Sequence, residues 1–342
     1  MDNRGILILK NDRGGDLFAS IFLISSLIST YKNNKIYLSQ LNSGFSFLFK
    51  KSKLEYTNFD LTFINKFKIF YDLLINDYQK VYILTPKKFY FFLPFFFKKI
   101  KFYAIVYDGK NNLRPSNFFR KYLYKYRIIY RNKKNIKNYR ELQLELLDND
   151  DIFDKEFLAL NIPKINKELK NILPPNFLYF QFRYLFFTQL NWGLEEFNYL
   201  ISEFHKKYEY ILFSSDLENN SISNSFNSYF KKNYSILDTK NYVKKINLSN
   251  KKTFFLDNIN ALNLFLVLKE SKMNVAKEGI VSHLSYFQQK KCHNLFNFDL
   301  KTKDDVYHQK ISYSEWCKGM NLSFSFLNKD IIKSTKKIYK NI

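Results

Sequence analysis

Two short segments of this chain place glycine and a carboxylate directly after an apolar run. Residues 13–16, which end in Asp16, follow the apolar residues 5–9, and residues 278–284, which begin with Glu278, follow a second apolar run. Glycine lets a backbone turn tightly and approach a ligand, and a carboxylate in the first turn of a helix is stabilised by the helix dipole. In open α/β sheets, ligands bind where strands hand over to helices. The two segments therefore predict a ligand site between two nucleotide-binding-type domains.

The same residues also have purely structural interpretations. Asp16 can serve as a helix cap alone, and His283 can hydrogen-bond the end of a strand. Trp192 can pack at the start of a helix instead of stacking on a ligand. Single residues do not distinguish these alternatives, so the arrangement of several motifs has to decide between them.

The elements that must position these residues alternate between strand and helix. Apolar runs predict strands at 5–9, 35–39, 81–84, 102–107, 177–182, 208–213, 253–256 and 273–276. Helical periodicity predicts helices at 17–31, 63–75, 88–97, 194–205, 222–230 and 261–270. Apolar strands that alternate with helices are typical of doubly wound parallel sheets. We predict an α/β protein of two Rossmann-like domains that face a central cleft.

A change of character between the two halves marks the domain boundary. Acidic residues cluster at 148–151, and prolines follow at positions 163, 174 and 175. We predict an N-terminal Rossmann-like domain at 1–160, a linker at 161–174, a C-terminal Rossmann-like domain at 175–311, and a C-terminal helical segment at 312–342 that packs back across the cleft.

The composition restricts the class of protein. With 342 residues, of which 46% are hydrophobic and 25% charged, the chain is long enough for two globular domains. Its net charge of +24 favours anionic partners, although a biased base composition in the coding DNA also produces chains rich in Lys, Asn, Ile, Phe and Tyr. Two cysteines, Cys292 and Cys317, exclude a disulfide framework and suit a reducing compartment. No secretory signal, membrane-spanning run or zinc-ligand spacing is visible.

Three motifs in this order resemble those of glycosyltransferase family 9, which includes the lipopolysaccharide heptosyltransferases. The opening strand with Gly15 and Asp16 resembles the family's strand followed by Gly-Asp. Trp192 and the helix after it resemble the family's Trp-Pro segment, and residues 278–284 resemble its acidic, Ser/Thr, Gly, two variable, His-Leu motif. The resemblance covers nearly the whole chain and implies the GT-B architecture of two Rossmann-like domains. It implies that the domain at 1–160 binds the acceptor and that the domain at 175–311 binds the nucleotide sugar.

The resemblance implies roles on the acceptor side. Asp16 would be the general base that takes the proton from the acceptor hydroxyl. The other residues of that edge, which would line the acceptor or phosphate side, are Arg13, Gly14 and Gly15.

On the donor side, Glu278 would hold hydroxyl groups of the sugar, and the backbone amides of Gly279 and Ile280 would face the diphosphate. His283 belongs to the same donor motif, and Glu218 would bind the ribose.

The chain also departs from the family pattern. Leu190 stands where many members have a phosphate-binding lysine, and Gly193 stands where they have proline. Arg183, which follows the first strand of the second half, could replace that lysine. Gly279 and Ile280 replace the usual Ser or Thr and Gly, so a side-chain hydroxyl contact is lost.

A strongly basic stretch lies outside these motifs. Between residues 98 and 140 there are fourteen Lys and Arg but one acidic residue, Asp108, and Tyr and Phe interleave with them. This pattern is typical of surfaces that lie on anionic headgroups or on nucleic acid. The patch that we single out comprises Arg120, Lys121, Lys125 and Arg127. A solvated Lys-rich surface without a partner is the structural alternative.

Together these features predict an inverting, metal-independent glycosyltransferase. It would move a sugar from a nucleotide diphosphate sugar to a hydroxyl of a lipopolysaccharide or another surface glycan, and it would need no cofactor. We expect it in the cytoplasm, with the anionic inner face of the cytoplasmic membrane as a docking surface. The alternatives are a nucleic-acid-binding protein that uses residues 98–140, although no nucleic-acid-binding module is recognisable, and a catalytically inactive relative that only binds glycan.

Overall fold

The computed structural model describes residues 5–108, 117–130, 137, 139–215, 221–277, 279–297 and 322–342. The chain divides into two compact units, residues 1–163 and 164–342. The division falls inside the segment 161–174 that the sequence predicts as a linker.

The N-terminal unit is built on a sheet with a fully buried central strand. Its strands are β1 (Gly5–Lys10), β2 (Asn34–Ser39), β3 (Lys53–Thr57), β4 (Tyr78–Ile83), β5 (Lys101–Asp108) and β6 (Lys125–Tyr130). Its helices are α1 (Gly14–Ala19), α2 (Ile21–Thr30), α3 (Phe63–Ile75), α4 (Lys88–Phe96), α5 (Asn117–Arg120) and α6 (Tyr139–Leu144), with a 3-10 helix at Gln40–Phe49. Every residue of β1 is buried, as expected for a central parallel strand.

The strands of this unit are parallel in the order β3-β2-β1-β4-β5-β6. The order reverses at β1, which pairs with β2 on one side and with β4 on the other. At such a reversal the connections leave on opposite faces of the sheet and open a crevice at the carboxyl ends of the strands. The end of β1 and residues 11–16 lie at this point.

The C-terminal unit repeats this design. Its strands are β7 (Leu178–Gln181), β8 (Ile211–Ser214), β9 (Ser235–Asp238), β10 (Val243–Lys245), β11 (Thr253–Asp257), β12 (Met273–Lys277), β13 (Cys292–Asn297) and β14 (Leu322–Leu327). Its helices are α7 (Lys167–Ile172), α8 (Tyr184–Gln189), α9 (Leu194–His205), α10 (Ser221–Asn233), α11 (Ala261–Glu270), α12 (Ile280–Phe287) and α13 (Ile331–Tyr339), with a 3-10 helix at Leu248–Asn250.

The second sheet has the order β10-β9-β11-β8-β7-β12-β13-β14, and β10 is antiparallel to β9 while the other pairs are parallel. Here the order reverses at β7, which lies between β8 and β12. Gln181 of β7 lies opposite Ala276 of β12, so the two strands end side by side. The second crevice therefore lies after these two strands.

The predicted α/β class and the two doubly wound sheets are confirmed. The helices predicted at 63–75, 194–205 and 261–270 have the bounds of α3, α9 and α11. Polar groups fix their starts: Thr62 caps α3, Asn260 caps α11, and the Gly193 amide donates to Glu196 Oε2 at 2.7 Å in α9.

The C-terminal segment corrects the prediction of a helical region at 312–342. Residues 322–327 form strand β14, which pairs with β13 in parallel. His293 of β13 holds it, because its ring nitrogens contact Ser323 Oγ at 2.6 Å and Ser325 Oγ at 2.9 Å. The predicted helix is present as α13 and packs on α9 and β14 of the same unit. Helix α7 lies where only a linker was expected.

Candidate functional site

The edge after β1 presents Asp16 to solvent. Asp16 lies in the first turn of α1 and is exposed, while the next residue, Leu17, is in the core. Arg13 is the N-cap residue of α1, and its carbonyl accepts a hydrogen bond from the Leu17 amide at 3.1 Å. Gly14 and Gly15, which lie between Arg13 and Asp16 in the chain, are half-buried. The Asp16 carboxylate therefore lies exposed at a helix N-terminus, above the crevice of the first sheet.

A buried ion pair supports this edge, and the sequence analysis missed it. Lys10 is fully buried, and its Nζ donates to Asp12 Oδ2 at 2.7 Å and to the Leu84 carbonyl at 3.4 Å. Asn42 Nδ2 donates to the Asp12 carbonyl at 2.9 Å. The network therefore ties the loop after β1 to β4 and to the 3-10 helix. A lysine at the end of an otherwise apolar strand, two residues before an aspartate, was the signal available in the sequence.

The carboxyl group of this pair is electrostatically perturbed. Burial raises the pKa of Asp12 above the ordinary value, the Lys10 ammonium opposes that shift, and the nearby Asp16 carboxylate adds to it. Asp12 and Asp16 are therefore close enough to repel each other. The Lys10 ammonium offsets this repulsion and favours the ionised form of Asp12.

The edge of the second sheet brings Arg183 and Gly279 together. Arg183 follows β7 and Gly279 follows the end of β12, and these strands are neighbours. A Cβ atom placed on Gly279 would lie 3.7 Å from Arg183 Nη1, so the guanidinium lies beside the open side of this glycine. Gly279 has φ 155° and ψ −149°, a conformation that is essentially confined to glycine.

Helix α12 begins directly after this glycine. Its first amides, beginning with that of the half-buried Ile280, have no acceptor within the helix and carry the positive end of the dipole. Buried polar contacts hold the helix on the sheet, since Asn274 Nδ2 donates to Ser285 Oγ at 2.9 Å and Ser282 Oγ donates to Asn294 Oδ1. One guanidinium and a helix N-terminus thus lie at the same edge, an arrangement that can bind an anion.

A second cation adds to the positive potential at this edge. Lys277, the last residue of β12, places its Nζ 5.5 Å from the centre of the Phe186 ring. His283 is buried within α12, and its amide donates to the Gly279 carbonyl at 3.2 Å. Its burial favours a role in positioning α12 over direct contact with a ligand.

Two carboxylates of the predicted site, Glu278 and Glu218, lie outside the described residues. The residues around the tryptophan motif are in the core: Leu190 and Trp192 are buried, and Trp192 Nε1 donates to the Lys329 carbonyl at 3.1 Å. Trp192 is therefore a packing residue, which confirms its structural interpretation. Leu190, which stands where the family has its lysine, belongs to the hydrophobic core of this unit.

The predicted basic patch is smaller than the sequence indicates. Lys125 lies 3.8 Å from Asp148 Oδ1, and Arg127 pairs with Glu145. These acids follow the basic stretch in sequence, and folding brings them onto it. Arg120 is half-buried, whereas Lys121 is exposed with its Nζ 4.5 Å from the Phe118 ring centre.

The described part of the chain holds neither a metal-binding cluster nor a membrane-spanning helix. There, no cluster of three or more His, Cys, Asp or Glu side chains could hold a metal ion. No described helix is both long and apolar enough to cross a membrane.

Comparison with solved structures identifies the fold. A family 9 glycosyltransferase from Veillonella parvula DSM 2008 matches with a TM-score of 0.59 at 10% identity, over 99% of this chain and 98% of that one. An E. coli heptosyltransferase solved with ADP matches with a TM-score of 0.59 at 11% identity, over 99% of this chain and 100% of that one. A UDP-GlcNAc 2-epimerase from Methanocaldococcus jannaschii matches with a TM-score of 0.54 at 13% identity, over 99% of this chain and 93% of that one. No protein-family model and no curated protein matches the sequence. The resemblance to glycosyltransferase family 9, and the GT-B architecture that it implies, are confirmed at the level of the fold.

Proposed function

We propose that this protein is a glycosyltransferase that moves a sugar from a nucleotide diphosphate sugar to a hydroxyl of a surface-glycan acceptor. The observation that carries the proposal is the placement of the Arg183 guanidinium beside Gly279, at the start of α12. A guanidinium beside the first amides of a helix suits a diphosphate, which needs several charge-assisted hydrogen bonds. The E. coli heptosyltransferase of the same fold was solved with ADP, which carries a diphosphate.

In this proposal the C-terminal unit binds the donor. Arg183 and the amides of Gly279 and Ile280 bind the diphosphate, and Lys277 adds long-range attraction. Glu278 holds sugar hydroxyls and Glu218 the ribose. His283 acts by holding α12 in position.

The N-terminal unit supplies the base. Asp16 accepts the proton of the acceptor hydroxyl, and the freed oxygen attacks the anomeric carbon from the face opposite the diphosphate. The bond between that carbon and the phosphate oxygen breaks, and its electron pair leaves with the diphosphate, which the cationic edge stabilises. The sugar configuration is thereby inverted, and the proton ends on Asp16. Neither step calls for a metal ion.

The acceptor class in this proposal is a lipopolysaccharide or another lipid-linked glycan. Such an acceptor lies at a membrane, so the enzyme would work in the cytoplasm as a peripheral protein on the inner face of the cytoplasmic membrane. The surplus of cations in the sequence supports an anionic surface as partner.

The direct test measures nucleoside diphosphate binding by calorimetry and thermal shift with ADP, UDP and GDP. At 100 times its dissociation constant a ligand stabilises the folded protein by about 2.7 kcal/mol. We expect one of the three to do so. Arg183→Gln should weaken binding about tenfold to a hundredfold, because a hydrogen bond to a charged group contributes about 1.5 to 3 kcal/mol.

Lys251→Gln is the matched control, because it removes an exposed cation of the same unit that is far in sequence from both strand ends. Equal affinities of the parent and Arg183→Gln for all three diphosphates would refute the assignment of the donor site. Incubation with a nucleotide sugar separates the reaction classes: a transferase releases diphosphate only when acceptor is added. Conversion of the sugar without acceptor would instead indicate an epimerase, and binding without either reaction an inactive relative.

A further inference from the structure

Helix α3 turns large apolar side chains outward. Its exposed apolar side chains are Phe63, Ile64, Phe67, Tyr71, Leu74 and Ile75. Their spacing places them along one stripe of the helix, whereas Ile69 and Leu73 on the opposite side are buried in the core. One stripe suffices to anchor the helix to its sheet, so the outer stripe has no role in the core of this unit.

Helix α4 extends this surface. Phe92, Phe95 and Phe96 are exposed on it, and the half-buried Phe70 bridges the two helices with its ring centre 5.7 Å from that of Phe96. We call the nine exposed apolar side chains of α3 and α4 the aromatic face. Nine large apolar side chains exposed on two neighbouring helices are more than scattered surface hydrophobics, and such clusters mark interaction sites.

Lysines border the aromatic face. Lys88 at the start of α4 and Lys98 and Lys99 just after it are exposed, and none of the three forms an ion pair with another described residue. The exposed acids nearest in sequence are Asp60 and Asp77, at the two ends of α3. The border next to α4 is therefore cationic.

We propose that the aromatic face is the surface by which this protein docks on an anionic lipid bilayer. Phenylalanine with lysine is the combination found on helices that lie in a membrane interface, where the rings enter the acyl boundary and the ammonium groups meet lipid phosphates. Surfaces that bind proteins are instead depleted in lysine. With 13 and 9 residues, α3 and α4 are too short to span a bilayer and would lie in its plane.

This inference deepens the proposed function by naming the surface that meets the membrane, but its evidence is independent of the donor site. It also relocates the docking surface that the sequence suggests. The sequence places the docking surface around Lys125 and Arg127, which have acidic partners in the structure, whereas the exposed apolar side chains place it on α3 and α4.

Cosedimentation of the full chain with vesicles tests the proposal. The vesicles contain phosphatidylglycerol and phosphatidylcholine, or phosphatidylcholine alone. The aromatic variant carries Ile64→Gln, Phe67→Gln and Phe96→Gln, at side chains that are 60% to 75% exposed. Its control carries Leu158→Gln, Leu248→Gln and Ile332→Gln, at side chains that are 51% to 79% exposed elsewhere on the chain.

The parent and the control should bind the anionic vesicles, and the aromatic variant should bind about a hundredfold more weakly, because each buried ring or aliphatic group contributes up to about tenfold. The lysine variant carries Lys88→Gln, Lys98→Gln and Lys99→Gln. At low salt its affinity for anionic vesicles should also fall about a hundredfold, because each charge contributes about fivefold. Its control replaces the exposed Lys164, Lys240 and Lys251 with Gln.

Insertion has a separate readout. Tryptophan fluorescence of Phe96→Trp should be quenched by brominated lipid, whereas that of Leu248→Trp should not. Equal binding by the aromatic variant and its control would overturn the proposal. So would a parent that binds single-stranded oligonucleotides but no vesicles, or a parent dimer that the aromatic variant converts to monomers without any vesicle binding. Calorimetry with nucleoside diphosphates on the same variants keeps this test separate from the donor site, because none of the triple variants changes Arg183 or Gly279.

Discussion

Replacing Gly279 with alanine tests the anion-binding edge most sharply. The φ angle of 155° is one that residues with a Cβ atom avoid, at about 1 to 3 kcal/mol. The new Cβ would also lie 3.7 Å from Arg183 Nη1 and 3.8 Å from the Lys277 carbonyl, which is ordinary contact. Backbone strain, and not steric overlap, is therefore the dominant effect of Gly279→Ala.

The protein can respond to that strain in two ways. If the backbone holds, the strain appears as lost stability, and for a unit of this size each kcal/mol lowers the melting temperature by about 2 to 4 °C. If φ instead rotates by about 50° to the extended region, the Gly279 carbonyl carbon moves by about 1 Å, from standard bond lengths and angles. The α12 amides would then move relative to Arg183, and diphosphate affinity should fall at least about tenfold, because charge-assisted hydrogen bonds are sensitive to geometry.

Gly193→Ala is the matched control for this substitution. Gly193 has φ −115°, which alanine adopts readily, and the nearest atom to a new Cβ would be Glu196 Oε2 at 3.6 Å. We expect its stability to change by less than about 0.5 kcal/mol, because the lower entropy of the unfolded chain offsets a poorer N-cap. Calorimetry and thermal melting on both variants provide the comparison. The reasoning is wrong if Gly279→Ala matches Gly193→Ala in both melting temperature and diphosphate affinity.

Three further predictions concern the remaining groups. Asp16→Asn should reduce transfer by a factor of about 10² to 10⁴ with unchanged diphosphate affinity, as measured by acceptor-dependent diphosphate release and calorimetry; undiminished turnover would remove Asp16 from the mechanism. Lys10→Met should lower the free energy of unfolding by about 3 to 5 kcal/mol in urea denaturation, because Asp12 loses its buried partner; adding Asp12→Leu should restore most of it, and a failure to do so would contradict the ion-pair argument. Burial lowers the pKa of His293 from 6.5 to about 4, so the folded state disfavours its charged form. His293 therefore makes its full contribution to the free energy of unfolding above pH 6.5, and this contribution is lost as the pH falls toward about 4. Between pH 7 and pH 5 the loss should be about 2 kcal/mol. His293→Gln should flatten that part of the stability profile in urea denaturation, and an unchanged slope would count against this origin.

Much of the fold follows from the sequence alone, because short-range patterns determine it. Apolar runs bounded by polar turns specify buried parallel strands, and 3.6-residue periodicity with a capping residue specifies the start of α3, α9 and α11. The same local information places Asp16 in the first turn of α1, exposed above a strand end. These features need no knowledge of which strands become neighbours.

Strand order and side-chain packing are decided only by the tertiary structure. Arg183 meets Gly279 because β12 pairs with β7, and nothing local in either segment specifies that pairing. The ion pair of Arg127 with Glu145 has the same origin, since a count of charges along the chain does not show which acids fold back onto a basic segment. Strand β14 was missed because its alternating side chains become a strand only beside β13. Interactions between residues far apart in sequence depend on the packing of whole elements. For that reason the local pattern determines most of the buried strands and helices, whereas the strand order, the edge strand β14 and the composition of the site are determined by the assembled sheets.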